Sequence, residues 1–579
     1  MDDKLRVVTE GLSEEQKNAV LSLEGPVLIV AGAGSGKTRV LTSRVAALLA
    51  RGDDPSTVLA LTFTKKAAGE MKERIAAMVG AYKAARVVMG TFHSVFIRFL
   101  RDYSEVISYP RDFTIYDTTD SVNLVKDCIK TLGLDDKTYK PREVFSRISG
   151  AKNALVMPAE YAQRSDIQEA DFRTKRPRIA EIYRLYSERC KTYGVMDFDD
   201  ILLNMNILLR DSPEALEEIS SRFNHILVDE YQDTNFAQYV IIRKLAAKHR
   251  NICVVGDDSQ SIYAFRGAKI ENILNFKKDY PECRLFRLER NYRSTRNIVN
   301  AANELISHNE GRIPKQCYSE GESGEKIKLL NADSDRSEAM MVTSSILSRL
   351  RDEKAQYQDF AILYRTNSQS RAFEEALRRR NVPYRIYSGN AFFDRQEVRE
   401  LMAYFKLAVN PSDDEAFKRA VMKPRRGVAE QGLAVLSEAA AAASVSILEA
   451  IPHLPENVRP ATRNSLNSFY RMMHSFIDEC ATADAYKLCR RIASESGLLA
   501  LYKEDVSVQG QSRAANIEEL MDSVAAFVEE QTSDAEGPAL VTLADYLENV
   551  SLLSNIDLSE DEGEDVTNMV NLMTVHSAK

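Results

Sequence analysis

The sequence predicts an α/β protein with two parallel sheets, each flanked by helices and each interrupted by a mainly helical insertion. Three observations lead there. Short, continuously apolar runs alternate with helix-patterned segments, two long stretches lose that alternation, and the β/α pattern resumes after the first of them. At 579 residues the chain is too long for one core, and a prior of about 150 residues per domain gives roughly four.

Taken in order, PVLIVA at 26–31 is the first buried run, ending in a Gly-rich loop and a helical pattern over 38–50. TVLALTFT at 57–64 is the second, followed by the helix-like KKAAGEMKERIAAMV. HILVDE at 225–230 and NICVVGDD at 251–258 add two more. Residues 112–194 are charged and helical in pattern, the first insertion. Beyond them KIKLLNA at 326–332, DFAILYRT at 359–366 and PYRIYSG at 383–389 predict strands of a second sheet. From 390 to 555 the chain turns helical, and LAVLSEAAAAASVSILEAI reads as helix rather than disorder. An acidic loop at 557–565 then leads to VNLMTVHSAK, a strand-like segment ending at Lys579. No repeat of fixed period is present.

Composition excludes several classes. Charged residues are 28% and hydrophobic ones 44%, as in ordinary soluble globular proteins. No apolar run approaches the ~18–20 residues that cross a membrane, and MDDKLRVVTEGLSEEQ has no signal-peptide core. The seven cysteines lack paired metal spacing, which predicts reduced thiols in a cytoplasmic protein and no zinc or iron–sulfur site. A net charge of −8 weighs mildly against nucleic acid. However, Asp557, Glu560, Asp561, Glu562, Glu564 and Asp565 share one loop, and removing their six charges from −8 leaves −2. Local patches decide binding more than the total does.

The chemistry starts at AGAGSGKT: Ala31, Gly32, Ala33, Gly34, Ser35, Gly36, Lys37 and Thr38. Small residues after a buried strand let backbone N–H groups turn inward on phosphates, and the following helix N-terminus adds partial positive charge. Lys37 reaches the β- and γ-phosphates of ATP, and the Thr38 hydroxyl holds Mg²⁺. Ala31 stands where the pattern usually has Gly, but the strand–loop–helix context is intact. LVDEYQD supplies the acidic partner. An Asp–Glu pair alone is ordinarily a solvated loop; here it follows an apolar strand in a chain with a phosphate loop. Asp229 then serves the Mg²⁺ shell and Glu230 accepts a proton from the attacking water.

Nine segments in one order resemble the superfamily-one DNA helicases of the UvrD/Rep/PcrA type across essentially the whole chain. They are LSEEQ (12–16), LTFTKKAAGEM (61–71), GTFHS (90–94), DFDD (197–200), VDEYQDTN (228–235), VVGDDSQSIYAFRGA (254–268), LERNYRST (288–295), LYRTNSQSR (363–371) and MTVHSAK (573–579). The resemblance implies two RecA-like P-loop motor domains with ATP between them. The first comprises residues 1–111 and 195–286, with insertion 112–194. The second comprises 287–389 and 556–579, with insertion 390–555. It implies that Gln16 reads the adenine edge and that Arg39 and Tyr292 contact base and ribose. Gln260 senses the γ-phosphate, and Arg293 stabilises charge on the transferred phosphoryl, a role worth ~10³–10⁵ in rate in well-studied nucleotide hydrolases.

The same resemblance implies a single-stranded DNA track lined by Phe63, His93, Phe198, Tyr263, Phe265 and Arg266, with Arg365, Thr574 and His576 from the second motor. Stacking on an aromatic face is worth ~1–3 kcal/mol per base and tolerates any sequence. Singly, each of these aromatics reads as core. The Phe265 position commonly holds Trp in these helicases, and this chain has no Trp. Beyond HSAK the family continues with further motifs and a second arginine, so a second motor incomplete at its C-terminus is expected, with little DNA-stimulated hydrolysis by the isolated chain. The function implied is ATP-dependent 3′–5′ unwinding in repair or replication, acting on single strands and single-strand/duplex junctions as monomer or dimer; the alternative is a DNA-binding ATPase remnant that binds nucleotide without unwinding. Protein partners are not legible.

Overall fold

The computed structural model describes residues 3–387, 392–428, 430–443, 445–454, 458–505, 507–533, 540–552 and 568–579. The acidic stretch at 557–565 and the expected junctions near 390 and 555 lie outside them. In chain order the described strands are β1 (Val27–Ala31), β2 (Val58–Thr62), β3 (Val88–Thr91), β4 (Thr114–Tyr116), β5 (Val195–Asp197), β6 (His225–Val228), β7 (Ile252–Gly256), β8 (Arg284–Leu288), β9 (Ala361–Tyr364), β10 (Tyr384–Tyr387) and β11 (Val570–Thr574). Contacts group the chain into two units, Met1–Val95, Pro213–Asn390 and Leu553–Lys579 in one, Phe96–Ser212 and Ala391–Leu552 in the other.

The first unit contains a six-stranded parallel sheet ordered β3-β2-β6-β7-β1-β8. All residues of β1, β2 and β7 are buried, because helices cover both faces and a parallel strand then needs apolar side chains throughout. Helices Lys37–Arg51 and Lys65–Val79 supply part of that cover through Val40, Leu41, Val45, Met71 and Ile75. Since every strand runs the same way, the loops after Ala31, Val228 and Gly256 leave from one edge. That edge is where parallel α/β sheets bind ligands.

The same unit holds a three-stranded parallel sheet, β10-β11-β9. Helices Asp335–Glu353 and Ser370–Arg379 share a core with it through Ala339, Ile346, Ile362, Phe373, Leu377 and Leu572. One expectation fails here. Residues 326–332 form no strand, although their alternation suits one, and Ile327, Leu329 and Leu330 are exposed. A strand exists only by pairing, and no described strand pairs with this segment.

The second unit is mainly helical. One core collects Leu124, Val144, Ile148, Ile182 and Tyr183, and a larger one collects Leu401, Phe405, Phe417, Phe469, Leu488 and Leu520. Polar contacts join them: Tyr116 Oη donates to Asp413 at 2.5 Å, Lys406 pairs with Asp120 at 2.6 Å, and Arg399 pairs with Asp117. The Ala-rich stretch is a helix, Glu430–Ala443. No described helix is long and apolar enough to cross a membrane.

Candidate functional site

The loop after β1 turns through Gly34 (φ 66°) and Gly36 (φ 86°), left-handed positions that a side chain would strain. The turn aims the chain into helix Lys37–Arg51. Ser35 Oγ donates to Gly32 O at 2.8 Å and closes the loop on itself. Gln16, 3% exposed, accepts from Ser13 N–H at 3.0 Å and donates from Nε2 to Ser35 O at 2.9 Å. Expected to read adenine, its amide here braces the phosphate loop, with one N–H and one lone pair left unused by these two bonds. Arg39 lies exposed beside it, its guanidinium 3.4 Å from Glu10 O.

Lys37 Nζ sits 3.3 Å from the Glu230 carboxylate, so the phosphate loop and the end of β6 meet as the motifs require. Glu230 adopts φ 47°, a left-handed conformation uncommon for a residue with a side chain and typical of functional turns. Asp229 is buried, accepts the N–H of Glu230 at 2.9 Å and forms no ion pair among the described residues. Burial first, then the neighbouring Glu230 charge, push its carboxyl well above the usual range, with Lys37 opposing.

Gln232, which sequence reading passed over, organises this edge. Its Nε2 donates to Glu230 Oε2 at 2.6 Å and to Asp233 at 3.1 Å, while its Oε1 accepts from Asp257 N–H at 2.9 Å. It therefore ties the end of β6 to the end of β7. Gln260 follows, its Nε2 donating to Asp257 Oδ2 at 2.7 Å. Lys579 pairs with Asp233 and donates to Gln260 O at 2.6 Å. Its ammonium also lies 4.7 Å from the centre of the Tyr263 ring. Gln232 stands inside VDEYQDTN and Lys579 closes MTVHSAK, so motif membership was the signal available for both.

The LERNYRST segment contacts the phosphate loop directly. Asn291 Nδ2 donates to Ala33 O at 2.7 Å and Tyr292 N–H donates to Gly34 O at 2.9 Å. Asn291 Oδ1 meanwhile accepts from the backbone of Arg293 and Ser294 at 2.8 and 2.7 Å, fixing the turn that presents Arg293. A Cβ built on Gly34 would come within 2.8 Å of the Arg293 Cβ, so these chains touch where Gly34 leaves room. Tyr292 is half-exposed beneath the Arg290 guanidinium, 4.9 Å from its ring centre.

Of the residues expected to meet DNA, Tyr263, Phe265, Arg266 and His576 cluster. Phe265 and His576 pack edge to face at 5.1 Å, Tyr263 lies 6.0 Å from His576, and Tyr263 Oη donates to His576 O at 2.8 Å. The Arg266 guanidinium sits 5.5 and 5.6 Å from the Tyr263 and Phe265 ring centres. Phe265 stays 65% exposed, so one aromatic face remains open for stacking. Thr574 caps the short helix Val575–Ala578 with its hydroxyl. Phe63 packs on Phe92 at 5.4 Å, and His93 follows in helix Phe92–Asp102. Arg365 is exposed on the turn after β9, its N–H donating to Gln369. Phe198 belongs to the second unit, where it opens a helix capped by Asp197.

A family model described as UvrD/REP helicase N-terminal domain matches residues 12–281, and one described as UvrD-like helicase C-terminal domain matches residues 286–579. The chain is 41% identical over 571 residues to ATP-dependent DNA helicase PcrA of Staphylococcus aureus, covering 98% of this chain and 76% of that protein. It is 39% identical over 581 residues to the protein of the same name from Leuconostoc citreum, covering 99% and 76%. The Staphylococcus epidermidis protein is 39% identical over 577 residues, covering 99% and 77%.

Proposed function

The chain belongs to the UvrD/REP helicase family, and on that premise we propose that it is an ATP-dependent DNA helicase moving 3′ to 5′ along single-stranded DNA, separating duplexes in repair or replication. In this reading residues 1–111 with 195–286, and 287–389 with 556–579, are two motors, and 112–194 and 390–555 are their insertions. The observation that carries the proposal is the bonded line from Glu230 through Gln232, Asp233 and Lys579 to the Tyr263–Phe265–His576 cluster. It joins the carboxylate that faces Lys37 of the phosphate loop to rings that can stack on a base.

The residues divide the work as follows. Gly32, Gly34 and Gly36 let the loop from Ala31 to Thr38 wrap phosphates, and Lys37 exchanges its contact with Glu230 for the terminal phosphates. Freed of Lys37, Glu230 is oriented by Gln232 to accept a proton from the attacking water. The donor set suits Mg²⁺: Asp229 is a buried carboxylate without an ion pair among the described residues, and Thr38 adds a hydroxyl oxygen. When bound, that ion neutralises charge on the transferred phosphoryl group. Gln260 reads the γ-phosphate and Arg293 stabilises it, with Gln16, Arg39 and Tyr292 toward the base. Because the NYRS turn rests on Ala33 and Gly34, a nucleotide in the loop changes its seat. Nucleotide binding and release thus shift it between two arrangements.

The test is ATP hydrolysis, with and without oligo-dT, by this chain extended to the length of its relatives, of which it spans 76%. Stimulation by single strands, absent with duplex of equal length, supports the reading. Hydrolysis indifferent to DNA, or no hydrolysis, favours a nucleotide-binding remnant.

A further inference from the structure

Beyond the NYRS turn, residues 313–319 run as an extended strap beside the phosphate loop. Tyr318 N–H donates to Glu289 O at 2.9 Å and Asn291 N–H donates to Tyr318 O at 2.7 Å, so backbone bonds tie the strap to the NYRS turn. A Cβ on Gly32 would lie 2.2 Å from Cys317 Sγ, which shows how closely the strap lies on the loop. Lys315 reaches from the strap to the carboxylates that follow β7. Its side chain is 4% exposed, with Nζ 2.9 Å from Asp257 Oδ1, paired with Asp258, and donating to Ser259 Oγ at 2.9 Å. The side chains of Asp257 and Asp258 are 3% and 1% exposed. Asp258 also accepts the N–H of Ile313 at 3.0 Å.

Two adjacent carboxylates this deeply buried repel each other unless a cation lies between them. Lys315 is that cation. Burial works against its charge, yet Asp257 and Asp258 hold its pKa above the ordinary lysine value. Asp257 has a second duty: its Oδ2 accepts the Gln260 amide at 2.7 Å. Lys315 and Gln260 therefore share one carboxylate, with the strap on one side and the phosphate reader on the other.

We propose that Lys315 is a positioning residue: by neutralising and orienting Asp257 and Asp258 it sets the Gln260 side chain for the terminal phosphate and links that setting to the strap on the phosphate loop. The inference rests on the proposed reading of Gln260. If it holds, Lys315 matters for telling ATP from ADP more than for binding ADP.

Calorimetric titration of the full chain with ADP and with a non-hydrolysable ATP analogue tests this for wild type, Lys315→Met, Lys315→Arg, Gln260→Ala and the Gln260→Ala/Lys315→Met double variant. Lys315→Met is expected to weaken the analogue by about tenfold, the scale of coupling between linked sites, while the Kd for ADP changes by less than about twofold. Lys315→Arg retains discrimination, and the double variant is no worse than Gln260→Ala alone. Equal weakening of both nucleotides, with loss of thermal stability, would mean a merely structural ion pair and overturn the proposal. So would unchanged discrimination in Lys315→Met while Gln260→Ala loses it. Unchanged discrimination in Gln260→Ala itself overturns the reading of Gln260, and this inference with it. If Lys315→Met does not fold, Lys315→Gln with Asp258→Asn removes both charges of one pair and is read against the same outcomes.

Discussion

Lys152→Met should destabilise the second unit by about 3–5 kcal/mol, the usual result of removing one partner from a buried ion pair. The Lys152 side chain is fully buried, with Nζ 2.7 Å from Asp197 Oδ2 and 2.7 Å from Asp200 Oδ1. Tyr186 adds a hydrogen bond to Asp197 at 2.7 Å and places its ring 4.7 Å from Nζ. At an effective dielectric of about 20, each contact is worth roughly 6 kcal/mol gross. Desolvation of three ions consumes most of that, so the intact triad is worth little net. Removing the ammonium alone is different, because two buried carboxylates then face each other. The pH dependence follows with a definite sign. Burial tends to raise Asp197, but Lys152 outweighs it and holds Asp197 below its ordinary value. Asp197 therefore contributes stability at neutral pH that is lost as pH falls through its folded value. Burial, then the Asp197 charge, already raise Asp200 to about 7; in the variant Asp197 loses the cation that held it down and rises as well, and such groups gain stability as pH falls through the folded value. The deficit should shrink as pH falls below about 7. Hydrogen exchange in helices Pro141–Asn153 and Phe198–Asp211 reads this without assuming that the whole chain unfolds in one step. A loss below about 1 kcal/mol, or a deficit that widens toward acid, would refute the reasoning.

Three further outcomes are expected. In this chain extended to the length of its relatives, Lys37→Ala should lower ATP turnover by at least ~10²-fold, while oligo-dT affinity changes by less than about twofold, since Lys37 faces Glu230 and not the aromatic cluster. Loss of DNA binding in that variant counts against the division of labour. Phe265→Ala should weaken oligo-dT binding by ~1–3 kcal/mol in fluorescence anisotropy, and Phe265→Trp should bind at least as tightly as wild type because the larger face stacks better; an Ala variant that binds like wild type removes Phe265 from the track. Binding of Mg²⁺-ATP should release a proton near neutral pH, because the elevated Asp229 carboxyl must ionise to hold the metal. Calorimetry in two buffers of different ionisation enthalpy measures this, and proton uptake contradicts it.

Legibility in the sequence followed burial. Strands β1, β2, β6 and β7 lie inside the first sheet, covered on both faces, and so appear as continuous apolar runs. β3 and β8 are its two edges. VMGT is short and RLFRL carries Arg284 and Arg287, so neither shows that signature. KIKLLNA errs in the opposite direction: it has the alternation of a strand and lacks a partner. The phosphate loop was readable because its function lies in backbone geometry set by small residues in one short segment. Asn291 and Lys315 were not, because each works through a distant partner. Asn291 reaches Ala33 across 258 positions and Lys315 reaches Asp258 across 57. Polar residues in such segments look like solvated loop until the fold brings their partners to them.

The central claim is that nucleotide chemistry at Lys37 and Glu230 drives movement along a single strand with one polarity. The most direct measurement is ATP-dependent strand displacement, by this chain extended to the length of its relatives, on duplexes with either a 3′ or a 5′ single-stranded tail. Displacement from the 3′ tail alone, abolished by Glu230→Gln, is the predicted result. Displacement that prefers the 5′ tail, or that survives Glu230→Gln, would contradict it.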